Sequence, residues 1–345
     1  MNEPATPLLD VQNVKKYFPI SRRVLGRGKT VDVRAVDGVS FKVLQGETLG
    51  LVGESGCGKS TLARCIVRLY EPTEGSIIFA GRDISRLSAR ALRPLRRELQ
   101  MVFQDVYGSL NPKKKVGRII GDPMRIHRIG KDAEINTRVR QLLELVGLSP
   151  EHYSRYPSEF SGGQRQRIGV ARALALSPRL VVADEPVSAL DVSIQAQVVN
   201  LLTDLQDELG LTYVFVAHDL AVVRQVSDRV AVMYLGRIVE ISPADDLYAK
   251  PIHPYTEALL SAVPSIDPDA AAAEDRVILD TDVSSPIDLP SGCRFHPRCR
   301  YATEICRTVD PQLEDHGGDH WAACHHPLKV DHAPTEHVWA RPAPA

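Results

Sequence analysis

The strongest fold signal in this 345-residue chain is the segment Gly53-Glu54-Ser55-Gly56-Cys57-Gly58-Lys59-Ser60-Thr61. It has the G-x-x-x-x-G-K-S spacing of a phosphate-binding loop, in which glycines let backbone N–H groups close around phosphate oxygens. Apolar residues at 48–52 suit a buried parallel strand, and the apolar positions from 62 to 69 suit one face of a helix. A functionless glycine-rich turn is disfavoured because both flanking elements fit. The order strand, loop, helix predicts a nucleotide site.

Two side chains of this segment suit nucleotide chemistry directly. Lys59 would reach the β- and γ-phosphates, and the Ser60 hydroxyl would hold Mg²⁺. The start of the following helix adds the positive end of a helix dipole. The predicted nucleotide-binding residues are Gly53, Glu54, Ser55, Gly56, Cys57, Gly58, Lys59, Ser60 and Thr61.

A second buried strand, within residues 179–186, ends in the adjacent carboxylates Asp184 and Glu185. Two neighbouring carboxylates are costly to bury without a cation, and Mg²⁺ held through Asp184 would supply one. Glu185 is then free to orient or deprotonate a water molecule. A solvated acidic turn is the alternative, disfavoured by the phosphate loop upstream.

Two further polar side chains follow predicted strands. Gln104 ends the run 101–104, where its amide carbonyl can bind Mg²⁺ or a water molecule at the sheet edge. His218 follows the buried run 212–217, where it could contact the γ-phosphate, although a lone histidine is usually structural. The predicted catalytic residues are Glu185, His218 and Gln104, and the predicted Mg²⁺ ligands are Ser60, Gln104 and Asp184.

A second anion-binding feature is Ser161-Gly162-Gly163-Gln164, which precedes a predicted helix within a mostly helical region. Ser161 can cap this helix, and the glycine pair leaves the first backbone N–H groups approachable. We call residues 161–164 the signature segment.

Composition excludes several classes of protein. The net charge is −1 and 43% of residues are hydrophobic, so we expect a substantial core and no positive field that attracts nucleic acid. No apolar run approaches the ~20 residues of a membrane span, and the first residues lack a signal-peptide pattern. We expect a soluble or membrane-peripheral protein in the cytosol.

Taken in order, these motifs resemble those of the ATP-binding subunits of ABC transporters, over about residues 8–250. The resemblance implies ATP as substrate with Mg²⁺, Glu185 as general base and His218 as the sensor of the γ-phosphate. It also implies that Gln104 meets Mg²⁺ and signals to a membrane partner.

In this family two ATP-binding subunits sandwich two ATP molecules. The resemblance therefore implies that the signature segment and the stretch 188–191 contact the nucleotide held by the opposite subunit. The trans-contact residues carried over are Ser161, Gly162, Gly163, Gln164 and Asp191.

The resemblance also implies an aromatic ring stacked on adenine, at Phe18 or Tyr17. Stacking needs only a π surface, and the spacing from Lys16 favours Phe18. A half-buried core aromatic is the alternative. After these rings, residues 21–30 suit a solvated hairpin loop.

A closer resemblance is to the ATPase subunits of oligopeptide, dipeptide and nickel importers, through residues 107–112, 253–256 and 292–299. It implies two multi-span permease subunits, a second ATPase subunit that is more often a paralogue than a copy, and an extracytoplasmic solute-binding protein. It places the chain at the cytoplasmic face of the membrane.

The predicted fold is an α/β P-loop NTPase core with a mainly parallel sheet, an antiparallel β subdomain, a helical subdomain and a small cysteine-bearing module. The predicted domains are the ATPase domain at 8–250, with its helical subdomain at about 105–165, and the C-terminal extension at 251–330. Within the extension, 264–290 resembles a linker, and 331–345 a flexible tail.

The predicted function is ATP hydrolysis that drives import of di- or oligopeptides. Nickel or another small solute is the alternative cargo. A soluble ABC protein of translation or DNA repair is disfavoured by the single nucleotide core and the absence of sustained heptads. A non-catalytic relative is disfavoured because Glu185 and His218 are both present.

Four of the six cysteines crowd the last sixth of the chain, at Cys293, Cys299, Cys306 and Cys324. Zinc sites typically use closely spaced C-x₂₋₄-C pairs, whereas four thiolates from a loop-rich segment suit a 4Fe–4S cluster. The similar importers carry such a cluster, which makes these cysteines its predicted ligands. Zinc and free or oxidised thiols remain alternatives, since four histidines that could join a zinc site lie nearby: His296, His316, His320 and His325.

Overall fold

A computed structural model describes residues 6–24, 27–188, 190–262 and 287–328 of the chain. Most of the predicted linker at 264–290, and all of the predicted tail at 331–345, lie outside the described residues. In chain order the strands are β1 (Leu9–Val24), β2 (Arg27–Val43), β3 (Thr48–Val52), β4 (Glu74–Phe79), β5 (Arg82–Asp83), β6 (Leu99–Val102), β7 (Leu180–Asp184), β8 (Thr212–Val216), β9 (Arg229–Tyr234), β10 (Arg237–Pro243), β11 (Glu314–Asp315) and β12 (Trp321–Ala322).

The helices lie between these strands and in the C-terminal extension. In chain order they are α1 (Lys59–Ile66), α2 (Ala89–Leu92), α3 (Val106–Ser109), α4 (Val116–Ile126), α5 (Asp132–Leu145), α6 (Gly162–Leu174), α7 (Val192–Leu209), α8 (Leu220–Val226), α9 (Ala244–Ala249), α10 (Pro254–Ser261) and α11 (Glu304–Thr308). None of the described helices is long and apolar enough to cross a bilayer.

The strands form two sheets. The larger has the order β11-β12-β10-β9-β3-β8-β7-β6, and its five strands from β9 to β6 are parallel. The smaller, β2-β1-β4-β5, is antiparallel. The parallel arrangement brings the carboxyl ends of β3, β6, β7 and β8 to one edge, where ligands of open α/β sheets bind. The predicted α/β fold, with a mainly parallel sheet and an antiparallel part, is confirmed.

Successive side chains of a buried strand point to opposite faces of the larger sheet, so the hydrophobic core has one part on each face. On β7, Leu180 and Val182 join the cluster that holds α1 and the smaller sheet, while Val181 and Ala183 face the helices. Every residue of β7 is buried, and its first four residues are all apolar, so the strand does not alternate between apolar and polar residues.

Two local predictions are corrected. Residues 21–24 and 27–30, predicted as part of a loop, are strand, because β1 and β2 stay paired as far as Val24 and Arg27. Leu69 does not lie on the buried face of α1, since the helix ends at Ile66 and the Leu69 side chain is exposed. In the first case strand pairing overrides the local sequence pattern, and in the second the helix ends before the pattern does.

The C-terminal extension joins the larger sheet directly. Strand β12 pairs with β10, opposing Ala322 to Glu240. Glu240 is fully buried, and its two carboxylate oxygens accept the backbone N–H groups of Ile252 and His253. The His320 imidazole lies 2.6 Å from the same carboxylate. The Glu240 carboxylate thus contacts residues near the start and near the end of the extension, and links both to the sheet.

Candidate functional site

The phosphate loop leaves β3 and enters α1 through glycines with positive φ. Gly58 caps α1 at φ +108, and a Cβ there would lie 2.0 Å from the Ala35 carbonyl oxygen. Gly53 has φ +145, and a Cβ there would lie 2.1 Å from the Met233 carbonyl oxygen. These two positions require glycine by both conformation and space.

The side chain of Lys59 lies beneath the loop. Lys59 is only 4% exposed. Its ammonium donates to the Gly53 carbonyl at 2.6 Å and to the Glu54 carbonyl at 3.0 Å. These carbonyls compensate the burial of a charge that would otherwise be costly. The predicted phosphate-facing lysine is therefore ordered by the loop itself.

The residues predicted to hold Mg²⁺ meet at the ends of β7 and the loop. The Ser60 hydroxyl donates to Asp184 Oδ1 at 2.7 Å. Asp184 is fully buried, burial raises its pKa, and its Oδ2 accepts no hydrogen bond from any described residue. The Arg64 guanidinium lies 3.9 Å from Oδ2. A buried carboxylate oxygen without a donor, beside a hydroxyl oxygen, fits a hard oxygen-seeking cation such as Mg²⁺.

The three predicted catalytic side chains converge on one atom. The Gln104 amide donates to Glu185 Oε2 at 2.7 Å, and His218 Nδ1 lies 3.5 Å from the same oxygen. The Glu185 side chain is 12% exposed and that of His218 is 52% exposed, so the cluster opens to solvent on the histidine side. Glu185 has φ +47, a left-handed conformation that is uncommon for a non-glycine residue and typical of functional positions.

The signature segment begins α6 as predicted. The Ser161 hydroxyl accepts the Gln164 backbone N–H at 3.3 Å, and the Gln164 side chain accepts the Ser161 N–H in return. A Cβ at Gly163 would lie 2.4 Å from Ile194 Cγ2 on α7, whose N-cap is Asp191. The described hydrogen bonds of the segment link it to itself and not to the phosphate loop, so its trans role stays a prediction.

The two candidate adenine-stacking rings have different surroundings. The Tyr17 hydroxyl donates to the Asp37 carboxylate. Phe18 packs edge-to-face on Tyr70 at 5.5 Å, with the Lys16 ammonium 5.0 Å from its ring centre. Both rings are half-buried, and the choice of Phe18 stays a prediction.

The four late cysteines are free thiols in one region. Burial, with a smaller contribution from the neighbouring thiols, raises the pKa of Cys293 to about 11 and that of Cys324 to about 12. Within the described ranges, no group of three or more His, Cys, Asp or Glu side chains could hold a metal ion. The structure therefore shows no preformed metal site for the predicted iron–sulfur cluster or for the zinc alternative among these residues.

Sequence reasoning missed three residues at the site. Arg64 lies near Asp184, while Tyr255 and Arg298 contact Glu54 of the phosphate loop. Tyr255 and Arg298 belong to the stretches 253–256 and 292–299, which resemblance to the importers had singled out only as features of an extension. No spacing rule links them to a loop about 200 residues or more earlier.

Comparison with known proteins agrees with this geometry. The family model "ABC transporter" matches residues 36–188, and the model "Oligopeptide/dipeptide transporter, C-terminal region" matches residues 239–306. The oligopeptide transport ATP-binding protein AppF of Bacillus subtilis is 54% identical over 92% of this chain and 97% of its own length. The probable peptide ABC transporter ATP-binding protein y4tS of Sinorhizobium fredii is 54% identical over 92% of this chain and 89% of its own.

Solved structures give the same fold. The ATP-binding cassette MJ0796, in a dimeric post-hydrolysis state bound to ADP and phosphate, superposes with a TM-score of 0.61 at 28% identity, covering 68% of this chain and 98% of that one. The cbiO1 protein of Clostridium perfringens gives 0.60 at 26% identity, covering 71% and 91%. The chain therefore belongs to the ABC transporter family, as an ATP-hydrolysing subunit of the oligopeptide transport ATP-binding type.

Proposed function

We propose that this chain hydrolyses ATP with Glu185 as general base and thereby powers import of di- or oligopeptides through a partner permease. The observation that carries the catalytic part is the convergence of Gln104 and His218 on Glu185 Oε2, one residue from the buried Asp184–Ser60 pair. The similarity to AppF and the match to the oligopeptide transporter C-terminal region support peptides as cargo over nickel.

The chemistry follows from the residues at the sheet edge. The oxygen of a water molecule attacks the γ-phosphorus, and its proton passes to the Glu185 carboxylate. The bond from the γ-phosphorus to the β–γ bridging oxygen breaks, and ADP departs as the leaving group. Lys59 offsets the charge of the β- and γ-phosphates, and His218 contacts the γ-phosphate. Mg²⁺, held by Ser60 and Asp184 with Gln104 nearby, would neutralise charge that develops on the phosphates.

The proposed assembly places two ATP-binding subunits against two permease subunits at the cytoplasmic face of the membrane. The dimeric form of MJ0796 supports a pair of ATP-binding subunits. In this pair we propose that the trans-contact residues face the partner's nucleotide: Ser161, Gly162, Gly163, Gln164 and Asp191. We propose that the second ATPase subunit is a paralogue and that a solute-binding protein delivers the peptide. The assembly needs no nucleic acid.

We also keep a 4Fe–4S cluster at Cys293, Cys299, Cys306 and Cys324 as a proposal. Two observations speak for it. The Cys293 backbone N–H donates to the Cys306 carbonyl at 2.8 Å, and the charges of Cys293, Cys299 and Cys306 raise the pKa of Cys324, so the four residues lie near one another. A cluster would hold together a region with few strands and short helices.

Glu185→Gln tests the catalytic proposal. An amide cannot accept the proton, so turnover should fall by about 100-fold or more. ATP affinity should stay near the wild-type value, because Lys59, Ser60 and Asp184 are unchanged. Phosphate release measures turnover, and calorimetry measures affinity.

Glu144→Gln is the matched control, because it makes the same chemical change at an exposed position on α5. It should hydrolyse ATP at the wild-type rate. Hydrolysis by Glu185→Gln at that same rate would remove Glu185 from the mechanism.

A further inference from the structure

Every polar group of Glu54, the second residue of the phosphate loop, has a partner. Its carboxylate accepts two hydrogen bonds from the Arg298 guanidinium, at 2.8 and 3.0 Å. Its backbone N–H donates to the Tyr255 hydroxyl at 3.0 Å, and its carbonyl accepts from Lys59 at 3.0 Å. Two of these three partners belong to the C-terminal extension rather than to the ATPase core.

Both partners from the extension are held rigidly. The Arg298 side chain is 5% exposed, and its guanidinium carbon lies 6.0 Å from the centre of the Tyr234 ring. Tyr255 is fully buried, with its ring centre 4.6 Å from that of Tyr234 and 5.3 Å from that of Phe295. A bidentate arginine–carboxylate pair fixes direction as well as distance.

A second connection reaches the loop from the other side. The Arg294 guanidinium pairs with Asp37 and donates to the Leu235 carbonyl, in the turn between β9 and β10. The next residue, Gly236, donates its backbone N–H to the Cys57 carbonyl at 2.8 Å. The extension therefore supports the loop at both Glu54 and Cys57.

We propose that Arg298 and Tyr255 are positioning residues of the nucleotide site, through which the C-terminal extension holds the phosphate loop ready for ATP. A loop with glycines at positive φ at 53, 56 and 58 is conformationally free by itself, and ordering it on binding would cost affinity. Fixing Glu54 beforehand removes part of that cost. The inference rests on the proposed role of the loop as the ATP site.

The test is a double-mutant cycle read as the dissociation constant for Mg–ATP, measured by calorimetry on the full chain. Arg298→Ala, Glu54→Gln and the double variant should each weaken binding by about tenfold, because all three break the same pair. In hydrolysis assays KM should rise while kcat changes little. Arg298→Lys should recover part of the affinity, since an ammonium makes one bond instead of two.

Two variants guard against a folding artefact. Tyr255→Phe keeps the buried ring and removes only the acceptor for the Glu54 N–H, so it should weaken ATP binding by about threefold or more. Arg300→Ala is the matched control, because Arg300 lies two residues from Arg298 and pairs with Glu257 at 2.9 Å. It should bind ATP as the wild type does.

Three results would overturn the proposal. Wild-type affinity of folded Arg298→Ala would show that the pair does not act on the loop. Wild-type affinity of the double variant would show that Arg298 only neutralises a repulsive carboxylate. A loss of about 100-fold in the double variant would show that the two residues act independently. Lys59→Ala tests separately whether the loop is the ATP site. Unchanged ATP affinity in that variant would mean that ATP binds elsewhere, whatever the role of Arg298.

Discussion

His253 gives this protein a specific sensitivity to acid. It is fully buried at the start of α10, where its Nδ1 accepts the Tyr255 backbone N–H at 3.0 Å. Burial lowers its pKa from 6.5 to about 4, against the opposing effect of the Glu240 carboxylate. Protonation at Nδ1 would break the cap of the helix that presents Tyr255 to the phosphate loop.

The sign of the effect follows from proton uptake. Between pH 6.5 and about 4 the unfolded chain binds a proton at His253 and the folded chain does not, so the free energy of unfolding decreases as pH falls. Above pH 6.5 the contribution is constant. At about 1.4 kcal/mol for each pH unit, the loss across this window is about 3 kcal/mol.

Urea denaturation of the wild type and of His253→Gln at several pH values between 7 and 4 measures this contribution. Glutamine does not titrate, so the wild type should lose about 3 kcal/mol more than the variant over the window. Equal slopes for the wild type and His253→Gln would refute the assignment of a buried neutral histidine.

Two further predictions concern assembly and the cysteines. Ser161→Arg should leave the ATP affinity of the isolated subunit unchanged, because Ser161 is expected to contact the nucleotide of the other subunit. The variant should form no ATP-dependent dimers in gel filtration. Loss of ATP binding by the monomer would contradict the sandwich arrangement. Protein purified without oxygen should be brown, absorb broadly near ~400 nm and contain about four irons per chain, whereas colourless protein with one tightly held zinc would contradict the cluster.

The main residues of the nucleotide site can be predicted from the sequence because the features that place them are local. The phosphate loop needs glycines at fixed spacing, and Asp184, Glu185 and His218 follow apolar runs that form β7 and β8. Parallel strands bring their carboxyl ends to one edge, so residues distant in sequence meet without any further signal. The Ser161 cap is local in the same way.

The parts that could not be predicted depend on long-range contacts between side chains. Arg298 and Glu54 are 244 residues apart, and neither periodicity nor spacing records their pairing. Residues 21–24 and 27–30 have the local composition of a charged loop, yet they form strand because β1 pairs with β2 along them. The left-handed conformation of Glu185 is likewise set by its surroundings, including the bond from its N–H to the Val216 carbonyl.

Peptide uptake into proteoliposomes shows directly whether ATP hydrolysis at Glu185 powers peptide import. The vesicles would contain this chain with its permease and partner ATPase, ATP inside on the cytoplasmic side, and a solute-binding protein with labelled dipeptide or oligopeptide outside. We expect the wild-type complex to accumulate peptide and to hydrolyse ATP faster when peptide is present, and the complex with Glu185→Gln to bind ATP without accumulating peptide. Peptide accumulation at the wild-type rate by the Glu185→Gln complex, or wild-type hydrolysis that no peptide stimulates, would contradict import powered by hydrolysis at Glu185.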